Sequence, residues 1–513
     1  MDYAIAVIDI GMTNKKVALY DDALKQVEAH YRNFPPVLID GIETHDLGAM
    51  EEWFIQELAA YAAHYPIKVI AVTTHGATFV CVGKDGKPSV PCVYYTHEPG
   101  DDFHARFYER FGSPEALQTQ TGTPALKGLI NTGKGICFAQ EHYPEQFKRT
   151  LHLLQYPQYW GYRFSGNTGA EGTYMGCHGY LWDHGVGRLS SVAAGLGVAD
   201  FMPKQLGASW DVLGTITGEL AAKTGLSPEV IVTMGLHDSN SSLLPHFATK
   251  GETGFVLNST GTWCVSMNPV KQYGFAPEEL GKVVFFNISA FGTPVKTAIF
   301  LGGQEFETWS GVLKDIHGRT DVPPYNASLY RTLLQEKTAF LLPELTAGSG
   351  QFPQSKPRVV ENSRDYPFAD IATRPPPCFQ HYETGIALLQ ISLVMQTLTA
   401  LERTGLAPGA AVFTEGGFRK NEAYNILVSA ALGNNQVFLT DIAEATALGA
   451  ALTAKMALTG KKLQDLGGDF EIDYQEVVKT ALPEIALYRE AWLELARNTN
   501  ATHTIKTVEK CTL

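Results

Sequence analysis

Short apolar segments in the first twenty residues predict two strands joined by a polar turn. Residues 5–8 and 17–20 are apolar and rich in branched side chains, a pattern typical of buried or half-buried strands. The segment between them, residues 9–16, reads DIGMTNKK and carries one glycine. Because glycine and asparagine are frequent in hairpin turns, an ordinary hairpin with a polar tip is the alternative to a functional turn.

The same order of strand, small polar turn and strand recurs near residue 250. Residues 254–257 and 264–267 are strand-like, and the segment between them, residues 258–263, reads NSTGTW. This recurrence predicts a duplicated fold, in which each half carries one Gly/Thr turn between two strands.

The remaining chain alternates strand-like and helix-like segments, which favours α/β domains. One stretch, residues 343–380, is rich in proline and glycine and is predicted to be irregular. Further predicted strands are 68–73, 78–82, 231–234, 411–414 and 436–440, and predicted helices are 421–432, 443–458 and 483–497.

Length, charge and cysteine content limit the classes of protein to which this chain can belong. A chain of 513 residues is too long for one core, so two or three domains are expected. The net charge of −13 argues against a nucleic-acid-binding protein, which would carry a basic face. Neither a signal peptide nor a membrane span is predicted, because the start of the chain is acidic and no long uninterrupted apolar stretch occurs. The seven cysteines form no CxxC pair, which favours reduced, buried thiols in a cytoplasmic protein.

The residue types of the first turn suit the binding of phosphate. Gly11 allows backbone amides to approach an anion, Thr13 offers a hydroxyl donor, and Lys16 brings a positive charge. Asp9 is placed to hold a hydrated divalent cation against the same phosphates. Two such turns facing each other across a cleft would grip phosphates through N–H and hydroxyl groups.

Five segments, taken in order, resemble the motifs of the FGGY carbohydrate kinases, a family within the actin, hexokinase and heat-shock-chaperone ATPase superfamily. The resemblance extends over roughly residues 4–460, with Lys16 replacing the arginine that is common in the first motif. The sequence contains neither a GxxxxGK[ST] loop nor a GxGxxG loop, so other nucleotide-binding folds have no support. The five segments are residues 9–16, 224–238, 259–263, 415–421 and 444–451.

The resemblance implies an α/β fold of two ribonuclease-H-like domains, of the actin/hexokinase type, around a central cleft. We expect the first domain at residues 1–245, with the sugar pocket, and the second at residues 246–513, with the adenosine site. The family uses ATP, and Mg²⁺ is expected to be held through water by Asp9 and Asp238. The residues expected to bind ATP and its phosphates are Gly11, Thr13, Asn14, Lys16, Gly261, Thr262, Gly416, Gly417 and Asn421.

Asp238 matches the catalytic base of this family. In phosphoryl transfer a protein mainly positions the reactants and stabilises charge. A carboxylate near the cleft can also accept the proton of the attacking hydroxyl. The alternative role for Asp238 is an N-cap of the helix that follows it.

Gly449 lies inside the predicted helix 443–458, where glycine costs about 1 kcal/mol relative to alanine. Close approach of another backbone or of a ligand is the expected reason for a glycine there. We expect this helix to lie against the nucleotide or against the adenosine loop at residues 416–417.

The residues around the predicted sugar pocket give mixed indications of the substrate. Residues 70–76 and the Gly-Thr-Trp at 261–263 resemble the kinases of L-fuculose and L-rhamnulose, but Thr78 stands where those enzymes present an aspartate. His75 and Gly76 instead match the xylulose kinases. We therefore expect Thr78 to set substrate choice and a ketopentose or tetrulose to be preferred. The residues expected to bind the sugar, each of which could equally serve in packing, are His75, Gly76, Thr78, Tyr95, His97, Glu171, His237 and Gln304.

The sequence thus predicts an ATP-dependent kinase of a small ketose or related sugar. Two alternatives are an actin-like or chaperone-like ATPase without a small substrate and a weakly catalytic sugar-binding regulator. The expected partners are ATP and a small sugar, with no nucleic acid and no membrane. A homodimer is one arrangement that fits, and the sequence leaves open the sugar, the phosphorylated hydroxyl and the oligomeric state.

Overall fold

Two seven-stranded sheets, each covered by helices, organise the chain. The computed structural model describes residues 1–442 and 444–498. Ala443, at the start of one predicted helix, and Cys511 lie outside the described residues, as does the C-terminal end of the expected second domain.

The first half of the chain contains thirteen strands and eleven helices. The strands are β1 Ala4–Ile10, β2 Asn14–Asp21, β3 Gln26–Asn33, β4 Val37–Ile39, β5 Ile42–Thr44, β6 Ile67–Thr74, β7 Phe79–Gly83, β8 Thr150–Gln155, β9 Trp182–Asp183, β10 Arg188–Leu189, β11 Val212–Thr215, β12 Ile231–Thr233 and β13 Leu236–His237. The helices are α1 Leu47–Ala62, α2 Asp101–Phe111, α3 Pro114–Thr121, α4 Thr132–His142, α5 Pro144–Phe147, α6 Tyr156–Ser165, α7 Gly172–Met175, α8 Ser191–Gly195, α9 Gly218–Thr224, α10 Asp238–Ser241 and α11 Leu244–Lys250.

The described part of the second half contains ten strands and seven α-helices. The strands are β14 Phe255–Thr260, β15 Cys264–Pro269, β16 Val284–Ile288, β17 Pro294–Phe300, β18 Ala339–Leu342, β19 Arg358–Glu361, β20 Arg364–Pro367, β21 Ala411–Gly416, β22 Gln436–Thr440 and β23 Tyr474–Glu476. The helices are α12 Gly302–His317, α13 Ala327–Glu336, α14 Phe368–Ile371, α15 Tyr382–Arg403, α16 Glu422–Ala431, α17 Ala445–Thr459 and α18 Glu484–Arg497.

The two sheets repeat one strand order, as the recurrence in the sequence predicts. In the first sheet β3, β2 and β1 are antiparallel neighbours, and β6 and β12 continue parallel to β1. In the second sheet β17, β15 and β14 are antiparallel neighbours, and β21 and β22 continue parallel to β14. The expected pair of ribonuclease-H-like domains is therefore confirmed. The turn at 11–13 joins β1 to β2, and the turn at 261–263 joins β14 to β15, so the two turns occupy equivalent positions.

Strand β1 shows why the sequence is continuously apolar at this point. Successive side chains of a strand point to opposite faces of the sheet. Ala6 and Ile8 pack into a core that contains residues of α1, whereas Ile5 and Val7 pack into a second core that contains residues of α17. Because both faces of the sheet are covered, every residue of β1 is buried.

Helix α17 comes from the second half of the chain but lies against β1 and β6 of the first sheet. Within this helix, Gly449 has its closest neighbours in Ser241, the last residue of α10. The predicted close approach of another backbone is confirmed. The neighbour of Gly449 is α10, the helix that begins at Asp238, and not the adenosine loop. The alternative, a position of α17 against the nucleotide, stays a prediction.

The proline- and glycine-rich stretch 343–380 is more regular than predicted. It contributes β19 and β20, which pair with β18 in a three-stranded antiparallel sheet. Asn362 and Ser363 turn the chain between these strands with positive φ angles of 49° and 64°. The strands have only four residues each, so the surrounding turn residues dominate the composition of the segment.

Helix α15 is long and apolar enough to cross a membrane by length and composition. In its most apolar window 94% of the residues are buried inside the protein, which is the arrangement of a core helix. Buried polar residues such as Gln390 and Gln396 also occur within this apolar sequence. The six described cysteines are buried free thiols, as predicted.

Candidate active site

The first turn places its small and polar residues at the end of β1. Thr13 and Asn14 are exposed, and a Cβ atom on Gly11 would lie 3.0 Å from the carbonyl oxygen of Asn14. Asp9 accepts a hydrogen bond from the Thr446 hydroxyl at 2.6 Å, so the start of α17 is tied to this turn. Thr13 and Asn14 are therefore open to solvent, while the Asp9 carboxylate is held in place.

Lys16 is held differently from the expectation of a free phosphate ligand. Its ammonium group forms ion pairs with Asp9, at 3.0 Å, and with Glu444, and its side chain is only 5% exposed. These two carboxylates raise the pKa of Lys16 against the opposing effect of burial. The adjacent Lys15 points to the opposite face of β2, donates to the carbonyl of Met12 at 2.8 Å, and has its pKa lowered to about 8 by burial.

The second turn borders a cavity of about 560 Å³ in the second domain. Four of the residues expected to bind ATP line it: Gly261, Thr262, Gly417 and Asn421. The Asn421 side chain caps α16 by accepting from the Tyr424 N–H at 3.1 Å, and it also accepts from Gln390 at 2.9 Å. Other lining residues, which the sequence did not single out, include Gly303, Phe306, Tyr325, Gln390 and Phe418.

Two glycines fix the backbone at the edge of this cavity by close packing. A Cβ atom on Gly303 would lie 2.1 Å from the carbonyl oxygen of Gly261. A Cβ atom on Gly416, whose φ is +80°, would lie 2.0 Å from the carbonyl oxygen of Thr260. Because real Cβ atoms do not approach a carbonyl so closely, only glycine allows α12 and the 416–417 loop to rest on the second turn.

A smaller cavity of about 240 Å³ lies between the two halves of the protein. Asp238 and four of the residues expected to bind sugar line it: His75, Gly76, Tyr95 and His237. The second half contributes its far wall. The lining residues that the sequence did not single out for substrate include Leu126, Ile130, His178, Trp263, Phe285 and Asn287.

Among the described residues that line this small cavity, Asp238 is the one carboxylate. It is the first residue of α10, and its Oδ1 accepts from the Ser239 N–H at 2.6 Å. The residue at the N-cap position is His237, so the alternative that placed Asp238 at the cap does not describe the helix. Burial, and then the charge of Asp9, raise the pKa of Asp238 to about 7. A carboxyl group with such a pKa can exchange a proton near neutral pH.

Two histidines present complementary nitrogen atoms beside Gly76. The Nδ1 of His178 lies 3.3 Å from the Ile130 carbonyl, which can only accept, so the Nε2 of His178 is an acceptor. The Nδ1 of His237 faces the amide nitrogen of Asn240 at 3.1 Å, so the Nε2 of His237 carries the proton. That Nε2 lies 3.3 Å from Asp238 Oδ1. A Cβ atom on Gly76 would lie 2.8 Å and 3.0 Å from the two Nε2 atoms, so both face the space beside this glycine.

Glu171 and Thr78 do not line the cavity in this structure. Glu171 is fully buried and accepts from the hydroxyls of Thr173 and Ser209, each at 2.6 Å. Because the Thr173 hydroxyl also accepts the His237 backbone N–H at 3.0 Å, Glu171 supports the cavity wall from behind. Thr78 is 1% exposed, and its backbone contacts the Tyr174 hydroxyl. Both positions are therefore one layer behind the surface of the cavity.

His97 and Gln304 also lie away from the cavity. The His97 ring packs 5.0 Å from the ring of Phe138, between centroids. Gln304 is exposed in the first turn of α12, while the adjacent Glu305 points into the core. Successive side chains on a helix point in directions about 100° apart. The sequence pattern alone did not show which of these two neighbouring residues faces the core. His178 was missed because it belongs to no motif and reaches the cavity only through the fold.

Asp9 and Asp238 offer carboxylate oxygens, the donors that suit a hydrated Mg²⁺ ion. Asp9 and Asp238 are close enough for the charge of Asp9 to raise the pKa of Asp238, and a divalent cation near both carboxylates would relieve that repulsion. The two carboxylates therefore fit the expected ion. Cys177, His178 and His237 also cluster, with ligand atoms within 4.8 Å of one another, but sulfur and nitrogen donors suit Zn²⁺ and not Mg²⁺.

Both halves of the chain match models of known protein families. Residues 4–245 match a family model described as the FGGY family of carbohydrate kinases, N-terminal domain, and residues 252–462 match one described as carbohydrate kinase FGGY, C-terminal domain. No curated protein sequence matches the chain significantly.

Solved structures show the same fold over almost the whole chain. A carbohydrate kinase from Novosphingobium aromaticivorans has 26% identity and a TM-score of 0.79, with 96% of this chain and 98% of that chain covered. A xylulose kinase from Lactobacillus acidophilus has 15% identity and a TM-score of 0.78, with 96% and 97% covered. A glycerol kinase from Plasmodium falciparum, solved with ADP, has 15% identity and a TM-score of 0.74, with 97% and 98% covered.

The duplicated sheets, the two turns and the matches to both halves agree with one another. They favour a phosphotransferase over an ATPase without a small substrate. The chain therefore belongs to the FGGY family of carbohydrate kinases.

Proposed function

We propose that this protein transfers the γ-phosphate of ATP to a hydroxyl group of a small ketose, with Asp238 as the general base. The observation that carries the proposal is the position of Asp238 in the wall of the cavity between the two halves. The turn at 261–263 connects this cavity to the larger one, because Trp263 lines the first and Gly261 and Thr262 line the second. A sugar and a nucleotide bound in the two cavities would meet at this turn.

In this proposal the larger cavity binds ATP, and each turn supplies N–H and hydroxyl groups to its phosphates. Asp238 removes the proton of the attacking hydroxyl, and the hydrogen bond from the Ser239 N–H orients its carboxylate. Bound Mg²⁺, near Asp9 and Asp238, would neutralise phosphate charge during the transfer. Lys16 would hold Asp9 and Glu444 in place through their ion pairs, in addition to its charge near the phosphates.

The chemistry of the small cavity favours an uncharged substrate rich in hydroxyl groups. Burial lowers the pKa of His75 to about 4, and it also lowers the pKa values of His178 and His237. Neutral imidazoles accept or donate hydrogen bonds but cannot neutralise a carboxylate. His75 Nε2 is buried without a partner among the described residues, so it offers a further acceptor. A ketopentose or a tetrulose fits these donors and acceptors, and an aldonate does not.

The buried thiols support a cytoplasmic location, because free cysteines persist in reducing compartments.

The test is an assay of ADP release with a panel of ketoses, polyols and aldonates, in the presence of Mg²⁺. We expect turnover with an uncharged ketose and a fall in kcat of about 10²–10⁴-fold in Asp238→Asn, the usual contribution of a general base. Near-wild-type kcat in the folded variant would remove Asp238 from this role. Rapid ATP hydrolysis that no sugar stimulates would contradict the kinase activity itself.

A further inference from the structure

A second large cavity, of about 590 Å³, opens in the second domain at the C-terminal end of α15. It shares no lining residue with the nucleotide cavity or with the small cavity at Asp238. Its volume falls in the range of small-molecule sites, which is roughly 300–1,000 Å³. The phosphotransferase reaction gives this cavity no role.

Three cationic side chains from three separate segments line this cavity: Lys282, Arg403 and Arg497. Lys282 precedes β16, Arg403 ends α15, and Arg497 ends α18. Burial, and then repulsion from Arg403 and Arg497, lower the pKa of Lys282. Burial, and then repulsion from Arg497, lower the pKa of Arg403 to about 10. The three cationic groups therefore repel one another at the same cavity. A bound anion would reduce this repulsion.

Three carboxylates line the cavity wall: Glu279 is buried, and Glu278 and Glu402 are exposed. Glu279 and Glu402 have cationic partners outside the cavity. Glu279 accepts from Lys296 at 2.7 and 2.8 Å. Glu402 forms an ion pair with Arg489, whose Nη2 lies 2.7 Å from Oε2. Glu279 and Glu402 therefore divide their charge between Arg403 and a cation outside the cavity, which leaves part of the positive charge of Lys282, Arg403 and Arg497 available to an anion.

Arg403 is also held in a fixed orientation. Its Nη1 donates to the backbone carbonyl of Gln351 at 2.8 Å and to the Gln351 side chain at 2.6 Å. Its guanidinium lies 5.9 Å from the centroid of the Phe352 ring. A guanidinium group has five N–H donors, so one edge can be anchored in this way while the other binds an oxyanion.

We propose that this cavity is a binding site for a small phosphate monoester, separate from the site of phosphoryl transfer. Arginine and lysine together form the usual recognition set for phosphate, through charge-assisted hydrogen bonds. The cavity has room for the remainder of a phosphorylated metabolite beside the phosphate group, and Thr399 and Gln354 add polar atoms to its wall.

The test measures binding by calorimetry with the full-length protein. The probes are inorganic phosphate and ribose 5-phosphate, and the nucleotide cavity is first saturated with a non-hydrolysable ATP analogue. The site variant is Lys282→Gln combined with Arg497→Gln, since these side chains are half-buried and exposed and the fold should survive. The matched control, Lys271→Gln combined with Lys461→Gln, removes the same charge from exposed positions outside the cavity.

We expect saturable binding to the wild type and to the control, and a dissociation constant at least tenfold higher in the site variant, because charge-assisted hydrogen bonds are lost. Binding should also weaken at high salt. The proposal is overturned if neither probe binds saturably, or if the site variant binds as tightly as the control. The heat of binding requires no turnover, so this result is independent of whether the kinase proposal succeeds.

Discussion

Gly449 of α17 lies so close to Ser241 of α10 that a Cβ atom on the glycine would be 2.0 Å from the serine carbonyl oxygen. The Ser241 hydroxyl also donates to the carbonyl of Thr446 at 2.7 Å, one turn before Gly449. These two contacts join the helix that begins at Asp238 to the helix whose start contacts Asp9. The position of the proposed base is thus set by packing between the two halves of the chain.

Gly449→Ala should therefore damage the arrangement around Asp238. Overpacking costs about 1–3 kcal/mol, which at the 2.0 Å approach to a backbone oxygen should outweigh the gain in helix propensity of about 1 kcal/mol. We expect a lower melting temperature and a lower kcat, with KM for ATP changed less. Thermal unfolding and steady-state kinetics of the variant measure both effects.

Gly311→Ala is the matched control, since Gly311 lies in α12 with open space around it. This substitution should leave kcat unchanged and should not lower the melting temperature. An equally stable and active Gly449→Ala protein would show that α17 can shift without disturbing α10.

Gly303→Ala should instead weaken the binding of ATP. The new methyl group would collide with the carbonyl of Gly261, whose turn borders the larger cavity. We expect KM for ATP to rise by tenfold or more, while KM for the sugar changes little. Gly311→Ala on the same helix again serves as the control. If KM for ATP in Gly303→Ala equals that of the control, the second turn does not hold the phosphates.

The pH profile should report the ionisation of Asp238. The base must be deprotonated to accept a proton, and its pKa is raised to about 7. The value of kcat/KM should thus fall by about tenfold per pH unit below 7 and level off above it. A profile that stays flat down to pH 5 would show that another group accepts the proton.

The same ionisation predicts an effect on stability. Between about pH 4 and 7 the folded protein retains a proton on Asp238 that the unfolded chain has released, so the free energy of unfolding decreases as the pH rises through this range. Asp238→Asn removes the ionisation. We expect the melting temperature of the variant, relative to wild type, to increase from pH 4 to pH 8 in the absence of ligands. A difference that does not depend on pH would contradict the raised pKa.

Substitutions at His178 and His97 compare a residue that lines the small cavity with one that only packs near it. His178 presents a buried acceptor to the cavity, whereas His97 packs against Phe138. We expect His178→Gln to raise KM for the sugar by tenfold or more and His97→Gln to change it less than twofold, because an unpaired hydroxyl costs about 1–3 kcal/mol. Equal effects of the two variants would mean that the cavity is not the sugar site.

Thr78→Asp tests the sequence-based expectation that Thr78 sets substrate choice. Since Thr78 is 1% exposed and lies behind the cavity, an aspartate there would be a buried charge without a partner. We expect a loss of stability and no gain of activity on L-fuculose or L-rhamnulose. A stable variant that prefers those sugars would restore the original expectation.

The elements that the sequence predicted well are those with strong local signals. The runs 5–8 and 255–257 are apolar because each strand is buried, and the Gly/Thr turns that follow them occupy equivalent positions in the two sheets. Local periodicity and turn composition were sufficient for this part of the fold. The motifs likewise placed Asp238, Gly261 and Thr262 at cavities.

Tertiary structure decided which neighbours of those motifs face a cavity. His97, Glu171 and Gln304 have suitable chemistry, but their side chains point into packing, to a helix cap or to solvent. His178 carries no local signal and reaches Gly76 only because distant segments fold together. The contact between Gly449 and Ser241 joins residues far apart in the chain. Sequence determines which backbone conformations and burial patterns are favourable, whereas contacts between distant segments determine which side chains share one space.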